Sequence, residues 1–271
     1  MLAGRLVQMV LLAVLCSVCR ALPVSAASSY QLTPYLSGEY FTWREFSGGA
    51  RLLKESGTLY AGGLLAEFTP ATASRSSLIL RGRGELFGGV VDYDGETQAP
   101  ATLPVQTRVS YLGVRQDLDL GYRYSGDRWY LEPFGGVGYR WWLRELHDAT
   151  SSGQSVSGYT ESWQSAYLRL GAQGRYRTAS EVSLFAQGGA KYPFYTGNSV
   201  GFAGAGVTTF RPGGELSGFA ELGASYRQLR LALSYEGFRF SRSSQIRVGT
   251  KDYFQPESRS DILGVNLGWS F

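Results

Sequence analysis

The last eleven residues of the chain, 261–271, constrain its fold more than any other stretch. Apolar and small or polar residues alternate through them, and the apolar face is made of Leu263, Val265, Leu267, Trp269 and Phe271. Alternation with a period of two is typical of a β-strand with one apolar and one polar surface. Aromatic residues near the end suit a membrane–water boundary, so the apolar face is predicted to meet lipid.

This ending resembles the carboxy-terminal signal of bacterial outer-membrane β-barrel proteins, which close on an aromatic residue, usually Phe, preceded by alternating apolar residues. Every position of that pattern is matched here. The resemblance implies export to a Gram-negative outer membrane and insertion by the barrel-assembly machinery, which reads such endings. It also implies contact with outer-membrane lipid and lipopolysaccharide, and it specifies no activity.

The amino-terminal residues 1–27 are predicted to be a signal peptide. Arg5 supplies the positive start, residues 6–18 form an apolar run, and Val24-Ser25-Ala26 suits cleavage. The apolar run is shorter than the roughly 20 residues that a membrane-spanning helix needs. The remaining chain is therefore expected to form one domain.

That remaining chain, residues 28–271, excludes several classes of protein. It lacks Cys16 and Cys19, the only cysteines, so neither a disulfide nor thiol catalysis is expected. Loss of Arg5 and Arg20 lowers the formal charge from +4 to +2, which excludes a nucleic-acid binder that relies on bulk charge. Because no apolar run of helical spanning length follows, a chain in lipid must satisfy its backbone by closing into a barrel.

Ten alternating segments are predicted as membrane strands, each near or above the roughly 9–11 residues that a tilted strand needs. The predicted fold is an all-β, transmembrane, antiparallel up-and-down β-barrel of ten strands, with eight or twelve as alternatives. The first two segments are the least regular, because they carry apolar residues on both faces. The segments cover residues 35–44, 58–68, 77–92, 107–124, 128–145, 163–177, 181–195, 215–227, 229–240 and 261–271.

The connections alternate in length, and this sets the orientation, because periplasmic turns are short and extracellular loops long. The predicted short turns lie near 69–76, 125–127, 178–180 and 227–229. The predicted long loops lie near 45–57, 93–106, 146–162, 196–214 and 241–258. The fourth long loop is unusually apolar and is expected to cover the barrel mouth or to touch lipopolysaccharide or a partner, through Val200, Phe202, Val207 and Phe210.

Charges of both signs are predicted to face the interior, where a barrel of eight to ten strands is nearly filled by side chains. We favour a network of buried ion pairs, because the planar fork of arginine suits bidentate pairing in a confined space. A narrow pore that favours anions is the alternative. The predicted interior charges are Arg81, Arg83, Glu85, Arg115, Asp117, Asp119, Glu132, Arg140, Arg144, Arg169, Lys191, Glu221 and Glu236.

Two patterns raise the possibility of an outer-membrane hydrolase. Asp92-Tyr93-Asp94 resembles the Asp-x-Asp pair of the omptin proteases, but their Asp-x-His half is missing, and His147 is the only histidine. Lipid-modifying barrels of the phospholipase and lipid A deacylase kinds place His close to Ser, whereas the serines nearest to His147 in sequence, Ser151 and Ser152, fall in a predicted loop. Nucleophile and base must share a rigid frame, which disfavours this reading.

The sequence therefore favours a non-enzymatic outer-membrane barrel with a structural or interaction role and long extracellular loops. A narrow porin-like channel that favours anions is the alternative, followed by a hydrolase that uses His147. No cofactor or metal is expected, since Asp92, Asp94 and Glu96 lack a full calcium-loop spacing.

Overall fold

The computed structural model describes residues 29–70, 75–97, 102–202 and 206–271. The predicted signal peptide, residues 1–27, lies outside the described residues. Within the described ranges, no helix is long and apolar enough to cross a membrane.

Sixteen strands form within these ranges. In chain order they are β1 Ser29–Ser47, β2 Ala50–Thr69, β3 Ser76–Glu96, β4 Pro104–Ser125, β5 Trp129–Leu146, β6 Ala149–Ser151, β7 Gln154–Val156, β8 Thr160–Arg177, β9 Val182–Phe202, β10 Gly206–Phe210, β11 Gly214–Glu215, β12 Ser217–Tyr226, β13 Leu229–Phe240, β14 Ile246–Val248, β15 Lys251–Tyr253 and β16 Glu257–Trp269.

Ten of these strands close into one barrel. The order around it is β1, β2, β3, β4, β5, β8, β9, β12, β13 and β16, and every neighbouring pair is antiparallel. The carboxy-terminal strand β16 pairs with β13 and with β1, so it closes the ring. The predicted ten-stranded up-and-down barrel is confirmed. The short strands β6, β7, β14 and β15 form two hairpins on the long connections.

The two faces of the barrel are reversed relative to a soluble protein. Large apolar side chains point outward and are exposed, as Leu36 and Leu170 are at 71%. The five apolar residues of the carboxy-terminal ending lie on this outer face as well, between 46% and 73% exposed. The buried charged side chains lie inside, and the charged residues of the outer face lie towards the ends of the strands. This arrangement is that of a barrel solvated by lipid, and recognition of its ending by the assembly machinery stays a prediction.

The predicted long loop at 45–57 is wrong. β1 runs to Ser47 and β2 begins at Ala50, so only Gly48 and Gly49 form the turn. Their φ angles of 58° and 83° lie in the left-handed region that a tight hairpin requires and that glycine adopts without strain. β1 and β2 continue up to this turn because their inner face is still covered by interior side chains. Leu53 on that face is buried.

The predicted loop at 196–214 is also largely strand. β9 continues to Phe202 and pairs with β10 beyond the barrel wall. Val200 and Phe210 are buried, at 7% and 3% exposure, instead of lying on a loop surface, while Val207 is 67% exposed. The side chain of Phe202 and residues 203–205 lie outside the described structure.

Candidate functional site

The interior of the barrel is filled by stacked layers of side chains, of which the lowest lies towards the short turns. Glu132 on β5 is fully buried and accepts hydrogen bonds from Arg81 on β3 and from Nε of Arg123 on β4, the latter at 2.8 Å. Glu67 on β2 lies 2.8 Å from Arg123 and 3.6 Å from Arg81. Two carboxylates therefore share two guanidinium groups.

The next layer repeats this pairing around the ring. Asp117 and Asp119 point inward from β4, and Arg169 on β8 forms ion pairs with both, at 3.5 Å for Asp119. The hydroxyl of Tyr167 donates a hydrogen bond to Asp117 at 2.8 Å. Glu221 holds two further cations on the opposite side, Arg83 at 3.2 Å and Arg230.

The central layer is organised around Glu236 on β13. It accepts a hydrogen bond from Nζ of Lys191 at 2.6 Å and another from Arg115, while Arg140 lies 4.0 Å away. Arg115 also donates to Glu85 at 2.6 Å. Because Lys191 is only 1% exposed and Arg115 and Arg140 5% each, these cations depend on protein carboxylates for their charge balance.

Aromatic rings lie directly above the central layer. Nζ of Lys191 lies 3.2 Å from the ring centre of Phe238, and the guanidinium of Arg140 lies 4.3 Å from that of Phe87. Cations over aromatic faces are stabilised by the ring quadrupole. The charged layer is thus joined directly to an apolar one.

That apolar layer is an aromatic plug, which we define as Trp43, Trp142, Trp163, Phe238 and Phe240. Trp142 on β5 and Trp163 on β8 are directly opposite in register and stack with ring centres 5.5 Å apart. Trp43 on β1 meets Trp163 edge-on at 5.0 Å, which joins opposite walls of the barrel. All five plug residues are at most 4% exposed, so these rings are packed against their neighbours across the bore.

Polar groups seal the plug on its extracellular side. Arg144 on β5 donates to Glu161 at 2.8 Å and, through Nε, to Glu55 at 2.9 Å. The indole N–H of Trp163 also donates to Glu161, at 2.7 Å, and that of Trp43 donates to Glu45 at 2.9 Å. Hydrogen bonds to two buried carboxylates thereby fix the orientation of two plug rings, and one of these carboxylates, Glu161, is also in an ion pair.

The long connection between β13 and β16 completes the upper seal. Its residue Gln255 is 5% exposed and donates to Glu45 at 3.1 Å. Asn198 on β9 donates to the amide oxygen of Gln255 at 2.7 Å. A loop residue is therefore bonded to two barrel strands inside the mouth.

Two cavities lined by described residues lie on the periplasmic side of the plug. One of about 390 Å³ opens among Arg123, Arg128 and Arg177, and one of about 80 Å³ lies above it among Arg81, Arg83 and other inner residues. Beside the plug, a cavity next to Trp142 has only about 10 Å³, which is close to the minimum that one water needs. The interior is a vestibule that ends at the plug.

All thirteen predicted interior charges lie inside the barrel, and each takes part in at least one ion pair. The aromatic plug was not predicted from the sequence. The feature that could have indicated it is that the first two predicted segments carry apolar residues on both faces. In the structure, Phe41 and Trp43 on β1 and Leu59 on β2 are the apolar residues that point inward.

His147 has a partner that sequence proximity did not reveal. Its Nε2 lies 2.8 Å from the hydroxyl of Ser110, which points outward from β4. Within the described part of the chain, no carboxylate hydrogen-bonds to the other ring nitrogen of His147. Glu145 is directly opposite Ser110 in register but is exposed. The pair therefore lacks the third group that orients a catalytic base.

The acidic pair that resembles the omptin motif lies in strand β3 and faces outward. Asp92 is directly opposite Arg108 on β4, and Asp94 lies 3.9 Å from Arg51. In the described residues, no group of three His, Cys, Asp or Glu side chains could hold a metal ion. Asp94 thus forms an ion pair on the outer wall, and Asp92 lies next to a cation of the neighbouring strand.

Comparison with known proteins supports the same architecture. The family model described as the autotransporter beta-domain matches residues 83–252, and no curated protein matches the sequence. The outer membrane protease OmpT from Escherichia coli is similar in fold, with a TM-score of 0.53, 11% identity, and 89% of this chain and 96% of that chain covered.

Two autotransporter structures are more distant. The translocator domain of NalP from Neisseria meningitidis gives a TM-score of 0.39 and 16% identity, over 89% of this chain and 88% of that chain. The transport unit of AIDA-I from Escherichia coli gives 0.44 and 10%, over 92% and 93%.

Proposed function

The chain belongs to the autotransporter beta-domain family and is a β-barrel of the Gram-negative outer membrane, and from this premise we propose that it acts as a closed, non-enzymatic barrel. Its working surfaces are then the outer wall and the extracellular loops. The observation that carries the proposal is the aromatic plug, because it crosses the bore from β1 to β8.

Passage of a polypeptide through this bore is disfavoured by size. A helix is about 10–12 Å across with its side chains, whereas the cavity of about 10 Å³ beside Trp142 has room for one water at most. Moving the plug would also break the hydrogen bonds from Trp43 and Trp163 to buried carboxylates. We therefore propose that the role of this barrel does not include a permanently open translocation path.

A narrow channel that favours anions is the alternative. The cavities on the periplasmic side favour it, because Arg81, Arg123 and Arg175 line them and would attract anions. Conduction would require a route past the plug.

Solute exchange tests the closed barrel. Liposomes that contain the folded wild-type protein should swell in isosmotic arabinose at the rate of protein-free liposomes, because the plug leaves no path for the sugar. A general porin in matched liposomes is the positive control. A swelling rate that rises with the amount of this protein would contradict the proposal.

The non-enzymatic part of the proposal is tested at Ser110 and His147. Wild type, Ser110→Ala and His147→Ala should release fatty acid from phospholipid and lipid A at the same background rate, since no carboxylate of the described residues hydrogen-bonds to the histidine. Mass spectrometry of the lipids measures this. Turnover by the wild type that both substitutions abolish would show a hydrolase instead.

A further inference from the structure

The outer wall carries a row of cations in adjacent strands. This basic row consists of Arg239 on β13, Arg259 on β16, Arg44 on β1 and Lys54 on β2. Arg239 is directly opposite Arg259, Arg259 is directly opposite Arg44, and Arg44 is directly opposite Lys54. Like charges in direct cross-strand pairs repel each other, so this register needs anions nearby.

Protein carboxylates neutralise the row only in part. Asp261 is shared by Arg44 and Arg239, each at 2.5 Å. Glu257 pairs with Arg259 at 2.7 Å. Three arginines of the row thus share two carboxylates as ion-pair partners.

The Lys54 end of the row adds one acid and one more cation. Asp94 is directly opposite Lys54 and lies 3.9 Å from Arg51. Glu215 on β11 is also directly opposite Arg239. Together with the contacts above, five cations face four carboxylates, a formal excess of one positive charge. The side chains of Arg44 and Arg259 remain 39% and 49% exposed, and the buried Nε of Arg44 has no hydrogen-bond partner.

The height of the row places it at the edge of the membrane. On β16, Arg259 lies ten residues from the interfacial Trp269, which is ~25 Å along the membrane normal for a strand tilted by ~40°. That matches the ~25 Å apolar band of such barrels. The outward residues below the row are apolar and exposed, as Leu263 and Leu233 are at 56% and 60%. The basic row therefore meets the headgroups of the outer leaflet.

We propose that the basic row binds the phosphate groups of a phosphorylated glycolipid of the outer leaflet, of the lipid A type. Arginine presents a planar fork that matches phosphate oxygens in bidentate geometry. The acyl chains of the same lipid lie along the exposed leucines below the row. This lipid site is on the outer wall and does not depend on whether the bore is closed.

Binding of defined lipid A to delipidated, folded protein in detergent tests the site, with native mass spectrometry as the readout. Wild type should bind diphosphoryl lipid A more tightly than dephosphorylated lipid A. The double variant Lys54→Gln/Arg259→Gln should lose at least ~10-fold in affinity for the diphosphoryl form, since it removes two charge-assisted contacts to phosphate. Arg227→Gln, at the periplasmic end, is the matched control and should bind as the wild type does.

A second variant separates phosphate recognition from loss of structure. Glu257→Gln removes a carboxylate that competes for Arg259, so it should bind diphosphoryl lipid A as tightly as the wild type or a few-fold more tightly. Heat-modifiable gel mobility shows that each variant is folded. Equal affinity of the wild type for the two lipids, or of the double variant and the wild type for the diphosphoryl form, would overturn the proposal. So would weaker binding by folded Glu257→Gln.

Discussion

Replacing Glu236 with alanine should lower the free energy of unfolding by ~3–5 kcal/mol, the loss expected when one partner of a buried ion pair is removed. Glu236 accepts hydrogen bonds from Lys191 and Arg115, and Arg140 lies 4.0 Å away. Arg115 retains Glu85 at 2.6 Å. Lys191 has no other ion pair among the described residues, so its ammonium would be left buried without a counter-charge.

Urea titration of the protein folded in lipid vesicles, followed by tryptophan fluorescence, measures this loss. Glu181→Ala is the matched control, because Glu181 pairs with Arg227 at the surface, where the two side chains are 69% and 71% exposed. Exposed pairs contribute about 0–1 kcal/mol, so this variant should unfold nearly as the wild type does. Equal losses for the two variants would show that the interior charges do not stabilise the barrel as a network.

The strands of the barrel could be predicted from the sequence because lipid on one side and side chains on the other impose a period of two. The loop at 45–57 was wrong because alternation continues through Leu53 and Glu55 without marking where the membrane ends. The turn there depends on two glycines, Gly48 and Gly49, which also suit a flexible loop.

The interior charges were easier to predict than the plug. A charge on a membrane strand has only one side on which it is tolerated, so Glu132 or Arg140 could be placed from the alternation alone. An aromatic residue fits either the lipid boundary or the bore. Alternation from Arg140 puts Trp142 on the inner face and Trp141 on the outer one, but only the register of β5 against β8 shows that Trp142 meets Trp163.

The contact between Ser110 and His147 could not be predicted for a different reason. The two residues are 37 positions apart, and they meet only because β4 pairs with β5 up to the last residue of β5, Leu146. A prediction from sequence proximity considered Ser151 and Ser152 instead. The basic row was missed in the same way, because its four members come from four strands.

Replacing Trp142 with alanine should open the bore. The indole is 4% exposed, stacks on Trp163, and lines the cavity of about 10 Å³ together with Arg140. Its removal enlarges that cavity and lets water reach Arg140 from above. Loss of a buried tryptophan costs ~3–5 kcal/mol. The variant should therefore stay folded in lipid bilayers only when the buffer contains little denaturant. Single-channel recording should then show brief openings that favour anions, because Arg140, whose ion-pair contact is the one of 4.0 Å with Glu236, then faces water.

Trp141→Ala is the matched control for that experiment. Trp141 is the preceding residue on β5, and its indole donates to Ser162 on the outer wall at 3.1 Å. Its removal changes the same residue type at the same height and leaves the plug intact. Openings of equal size and frequency in both variants would place the conducting path outside the plug.

The current through the wild-type barrel in a planar bilayer tests the closed bore most directly. With the plug, the upper ion pairs and Gln255 in place, we expect no steady conductance steps above the bilayer background in KCl, even after many insertions verified by heat-modifiable mobility. Stable, ohmic, anion-selective steps from the wild type, unchanged in size by Trp142→Ala, would contradict the account and show a water-filled path through the barrel.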